Sequence, residues 1–135
     1  MLKISELKEG DVVRVLFDNE EKEGTVVRIS REQNMAAVDN GIQEFWYAPE
    51  DIAPLPLTEE RLINLFGFEK EETAEGVKYR KDSFRMLVHD PGNFSNFEIW
   101  YREDKRRFNN PIYIHDLQNR YLEMTKVPLE RLPAH

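Results

Sequence analysis

Between residues 11 and 57 the apolar residues come in short β-branched and aromatic runs, each cut off within a few positions by a turn signal. That spacing leaves no room for a helix of ordinary length and commits the front of the chain to short strands. Val12, Val13, Val15, Leu16 and Phe17 predict a strand over Asp11 to Asp18, after a turn at Glu9-Gly10. The charged cluster "NEEKEG" predicts a loop closing at Gly24, and Val26, Val27 and Ile29 mark a second strand within 25–32. "NMAAVDNG" at 34–41 gives a third strand that stops at Asn40-Gly41, a strong turn signal. Phe45-Trp46-Tyr47 supplies a fourth strand. A one-turn break at Pro49-Glu50-Asp51 then precedes a last strand near Ala53–Leu57. Five such strands predict a small barrel, because closure removes the unpaired edges that short sheets expose.

The order of long first loop, "GTVV" strand, "VDNG" turn and helical break before the last strand is similar to SH3-like barrels. From Pro56 the pattern changes. Thr58 is placed to cap a helix, with Glu59 and Glu60 at its positive end, Leu62, Ile63, Leu65 and Phe66 as its apolar face, and Gly67 as its left-handed stop. "EKEETAEG" reads as a charged hairpin loop, followed by strands at 77–81, 83–90 and 97–104 whose alternation suits a meander buried on one side. Ile114, Leu117, Tyr121 and Met124 or Thr125 recur at helical steps in a closing helix that Pro128 ends, leaving "LERLPAH" as a frayed tail. The expected fold is α+β. An SH3-like five-stranded barrel over 1–57 is followed by a helix–meander–helix unit over 58–135, packed as one compact body.

Composition narrows the function classes. The chain has 135 residues and no cysteine, which excludes thiol nucleophiles, disulfides and Cys-based metal sites. No leader-like or membrane-spanning apolar run is visible, so a cytoplasmic protein is expected. The net charge is −7, and residues 1–57 hold six Lys/Arg against twelve Asp/Glu. An acidic front half repels a phosphate backbone. The basic clusters of the back half, "RKDSFR" at 80–85 and "DKRRF" at 104–108, read as solvated loops.

Two segments, "IAPLPLTEERLINLFGFEK" at 52–70 and "YIHDLQNRYLEMTK" at 113–126, resemble a family of small uncharacterised bacterial proteins, many encoded on prophage-like or other mobile elements. Its members show a "PIPLTEEWLxKFGF"-type segment and end in a "YVHQLQNLYF"-type helix. Arg61 stands here where that family has tryptophan, Asp116 where it has glutamine and Arg120 where it has leucine. The resemblance implies a phage or mobile-element background and no particular chemistry.

Three groups of residues are candidate sites. Phe45, Trp46 and Tyr47 cannot all point inward from one strand, so an outward ring either lines a partner groove or is covered by the second half. Arg80, Lys81, Lys105, Arg106 and Arg107 beside Trp100 offer a nucleic-acid face. His115, Asp116, Gln118 and Asn119 form a polar cluster at a helix start. It reads more simply as structure: His115 as cap or packing residue, Asp116 favouring the dipole, and Gln118 tying helix to sheet. His89-Asp90, with His115 and His135, lacks any metal-ligand spacing, and no phosphate loop or nucleophile motif occurs. The expectation is a non-enzymatic binding or adaptor protein with a protein partner and no cofactor or metal. A nucleic-acid-binding accessory protein is the alternative.

Overall fold

The computed structural model describes residues 2–133, and His135, one of the histidines weighed above, lies outside them. Among the described residues the fold is α+β: two antiparallel five-stranded sheets and two α-helices. Among the described residues no helix is long and apolar enough to cross a membrane. The chain divides into two compact units. One runs to Leu55 and includes Tyr113–His115, and the other comprises Pro56–Ile112 with the residues from Asp116 onward.

The first unit contains β1 (Val12–Phe17), β2 (Glu20–Ser30), β3 (Met35–Asp39), β4 (Glu44–Tyr47) and β5 (Ile52–Ala53), in the order β4-β3-β2-β1-β5. The sequence "NEEKEG" is not the loop expected of it. Asp18 and Asn19 turn the chain with φ of 53° and 63°, and β2 begins at once at Glu20, opposite Phe17. A bulge between Val26 and Arg28 then lets Val26 and Ile29 both serve the core. That core gathers Val13, Val15, Val26, Ala36, Val38, Tyr47 and Ile52 with Leu2, Ile4 and Leu7. Buried Asn40 holds the turn before β4: its Oδ1 accepts from the N–H groups of Ile42 and Gln43, and its Nδ2 donates to the Tyr47 hydroxyl at 3.1 Å. β5 is shorter than the expected strand to Leu57.

The second unit contains α1 (Glu59–Phe66), β6 (Glu69–Thr73), β7 (Gly76–Lys81), β8 (Phe84–Val88), β9 (Phe97–Tyr101), β10 (Asp104–Phe108) and most of α2 (Ile114–Thr125). Its sheet runs β10-β9-β8-β7-β6, each strand pairing with its neighbour in sequence. The expected cap is in place: the Arg61 N–H donates to Thr58 Oγ1, and Gly67 closes α1 with φ of 77°. Two segments read as loops, "EKEET" and "DKRRF", are instead the edge strands β6 and β10, with no fully buried side chain in either. One sheet face carries the core residues Val77, Tyr79, Phe84, Met86, Val88, Phe97 and Ile99. Tyr121 of α2 lies on it, ring to ring with Phe84 at 4.8 Å. The Tyr79 hydroxyl donates to Glu59 of α1 at 2.7 Å, and burial together with that carboxylate pushes the phenol well above its ordinary range.

The segment beyond Pro128 is not frayed where it is described. Leu129 is buried, its carbonyl accepts from Gln118 Nε2 at 3.0 Å, and the Leu132 N–H donates to the Leu65 carbonyl. Gln118 therefore ties α2 to the segment that follows it. Gln118→Leu is expected to cost about 1–3 kcal/mol by orphaning a buried carbonyl, and urea unfolding of the variant measures it.

Candidate functional site

Strand alternation separates the three aromatics of β4. Tyr47 faces inward, pairs with Ala36 and is buried in the core, so it presents nothing to a partner. Phe45 continues the inward row at the end of the sheet, where its ring meets Phe17 at 5.1 Å and Tyr47 edge-on at 6.4 Å. Trp46 points the other way and is 46% exposed.

The residues around Trp46 follow from the register. Trp46 pairs with Ala37, and Ala37 with Arg28, so the smallest side chain of the row lies between an indole and a guanidinium. The result is a shallow hollow of about 540 Å³, walled by Leu7, Lys8, Arg28, Ile29, Arg31 and Trp46. Glu9 is its one acidic wall residue. Lys8 is committed to the buried carboxylate of Asp11, while Arg28 and Arg31 carry no ion pair among the described residues. The sequence flagged the tryptophan but not these arginines. Neither stands in a basic run, and only the β2–β3 register brings Arg28 into line with Trp46.

The basic residues of the second half divide between two faces of their sheet. Arg80, Lys105 and Arg107 occupy register positions on the face that bears Trp100, together with Lys78 and Arg85. Lys81 and Arg106 lie on the other face. Lys81 Nζ donates to the Phe66 carbonyl, and Arg106 bonds Asp104 and approaches Glu123 of α2. Of those that remain, Arg80 pairs with Glu69 at 3.0 Å and Lys105 with Glu98 at 3.1 Å. Trp100 sits in register between Arg85 and Lys105, whose cations stand 5.3 and 5.0 Å from its ring centroid. Both approaches to the indole are thus occupied by side chains of the same sheet.

The two described histidines belong to different units. His115, 1% exposed, belongs to the first unit, where its Nε2 lies 3.6 Å from Glu6 and its ring stacks on Tyr113. His89 belongs to the second unit, where its Nε2 lies 3.1 Å from Glu98. Asp116, Gln118 and Asn119 fall in the second unit. Burial pushes the Glu98 carboxyl up, but the bond and charge of Lys105 and those of His89 outweigh it, leaving the carboxyl below its ordinary range. Among the described residues no three His, Asp or Glu side chains converge as metal ligands would.

No family model, curated protein or solved structure matches the chain.

Proposed function

We propose that this protein is a non-enzymatic adaptor whose first unit, read as an SH3-like barrel, holds an extended acidic segment of a protein partner across the Trp46 hollow. The observation that carries the reading is the charge of that hollow. Residues 1–57 are strongly acidic, with six Lys/Arg against twelve Asp/Glu, yet three of the six cations wall this one surface. An indole beside two uncommitted guanidiniums matches a chain that offers carboxylates and a flat apolar contact, and Trp and Arg are the residues most enriched where binding energy concentrates.

Topology supports the barrel reading. β1 pairs with both β2 and β5, and a single 3-10 turn at Pro49–Asp51 separates β4 from β5. The resemblance carried by the two motifs quoted above supports a phage or mobile-element setting. The nucleic-acid alternative has less support, because its basic residues split between two sheet faces and its tryptophan has no open face on which a base could stack.

The test uses labelled ten-residue peptides rich in glutamate, in lysine or in neither, titrated in fluorescence anisotropy. The glutamate-rich peptide is expected to bind best, and Trp46→Ala to weaken it at least tenfold, about 1.4 kcal/mol or more. Arg28→Glu with Arg31→Glu should reverse the preference. Equal binding of all three peptides, or no effect of Trp46→Ala, would remove the proposal.

A further inference from the structure

Among the described residues the two sheets end in β4 and β5 in the first unit and in β6 and β10 in the second. An unpaired edge invites another strand, and folded proteins blunt such edges with charge or brevity. β6, "EKEET", and β10, "DKRRF", are guarded by charge, and β5 is two residues long. β4, "EFWY", has neither protection. Its one charge is Glu44, and Ile42, Phe45 and Trp46 are 65%, 40% and 46% exposed along it.

The turn before β4 sets which of its backbone groups face outward. The Asn40 N–H donates to the Gln43 carbonyl, so these two residues form a hydrogen-bonded pair. Bonded and non-bonded pairs alternate along an antiparallel ladder. Val38–Phe45 and Ala36–Tyr47 are therefore bonded pairs, and Asp39–Glu44 and Ala37–Trp46 are not. The N–H and carbonyl groups of Glu44 and Trp46 point away from β3, off the edge of the sheet.

We infer that β4 pairs antiparallel with β4 of a second copy of this chain, in a symmetric dimer whose two-fold axis passes beside Phe45. In that register Glu44 of each copy stands opposite Trp46 of the other, and each such pair exchanges both of its backbone hydrogen bonds. Phe45 faces its own counterpart in a non-bonded pair, the kind that brings side chains closest. The neighbouring registers of the same parity fit less well. Centring on Glu44 opposes two carboxylates, and centring on Trp46 sets Glu44 against Ala48, beyond the end of β4. A second copy also suits this edge better than an acidic segment of another protein. Glu44 repels such a segment, whereas β4 is already extended and costs little to order. The hollow assigned above to an acidic peptide lies on the other side of Trp46, over Ala37 and Arg28, so neither reading depends on the other. A four-residue strand buries much less than the roughly 1,200 Å² of a stable interface, so the dimer is weak, with a dissociation constant on the order of 0.1 mM.

The experiment is sedimentation equilibrium of the full chain at concentrations on either side of that value. The mass is expected to rise from one chain to two and no further. Phe45→Lys and Phe45→Glu each oppose like charges at the axis and should weaken pairing at least tenfold, while an equimolar mixture of the two variants should pair again. Glu44→Pro removes an outward N–H that β3 does not use, and should abolish pairing. A mass of one chain at every concentration overturns the dimer, and a mass beyond two chains overturns its closed symmetry. Pairing that survives Phe45→Lys, or variants that fail to pair on mixing, overturns the register at Phe45. Amide exchange of the unsubstituted chain decides the matter even if the variants do not fold. The Glu44 and Trp46 N–H groups should exchange more slowly as concentration rises, and rates that stay constant while the mass doubles overturn the assignment to β4.

Discussion

Gly76→Ala is expected to destabilise the second unit by about 3–5 kcal/mol, the sum of a steric and a conformational term. Gly76 opens β7 with φ of 144°, a region that side chains avoid. A Cβ there would stand 2.3 Å from the Val88 carbonyl oxygen and 2.8 Å from the His89 Cα. Both are backbone atoms, so no rotamer change relieves the clash. The strand must move away from the end of β8, and the Thr73–Gly76 closure of the hairpin moves with it. Gly10→Ala serves as the control. Its φ of 94° is also in the left-handed half of the map, but a Cβ there meets nothing within 4 Å. It should cost only about 1 kcal/mol, the conformational term alone. Urea unfolding of both variants separates the two terms, and near-equal losses would show that the close approach to Val88 is relieved at little cost.

What the sequence revealed and what it concealed divide along burial. Strands with a core face announce themselves: Phe84, Met86 and Val88 recur at every second residue because they share the side of β8 that carries the sheet's core. Helix α1 was legible end to end from Thr58 to Gly67, since capping is local chemistry. The edge strands β6 and β10 left no such trace. A strand at the margin of its sheet, wet on most of its surface, is built from charged residues, and "EKEET" and "DKRRF" therefore resemble loops. The Asp18-Asn19 turn was legible in principle, because both residue types tolerate positive φ and suit a two-residue hairpin. The charged residues that follow it hid the start of β2. At the candidate sites, Trp46 could be read from the run of aromatics. Arg28 could not, because cross-strand register is a long-range property that no local window contains.

Register of another kind, three residues of turn, sets the last expected result. Asp11 is fully buried, and its carboxylate accepts from the Lys8 backbone N–H at 3.0 Å and from the Lys8 ammonium. Burial pushes its carboxyl up, while the bonds and charge of Lys8 and the more distant His115 pull it partly back, and the net direction is upward. Lys8→Met keeps the apolar stem and removes the compensating charge. Because Lys8 is partly exposed, the loss at neutral pH should be about 2–3 kcal/mol, below the usual figure for breaking a fully buried pair.

The dependence on pH distinguishes this cause from lost packing. A carboxyl raised in the folded state penalises folding in full above its folded value and not at all below its unfolded one, so stability recovers as pH falls through that window. Removing Lys8 raises the folded value further and widens the window. Lys8→Met should therefore regain part of its loss on going from neutral to mildly acidic pH, by linkage. Glu98 does not obscure the effect. Its carboxyl is lowered, so its own contribution is lost only at more acidic pH. Adding Asp11→Asn to Lys8→Met should recover most of the stability at neutral pH, since an amide oxygen still accepts the backbone N–H of position 8 without carrying a charge. A loss that is the same at both pH values and unmoved by Asp11→Asn would mean that the lysine acts through its stem, and that the carboxylate finds its compensation elsewhere in the first unit.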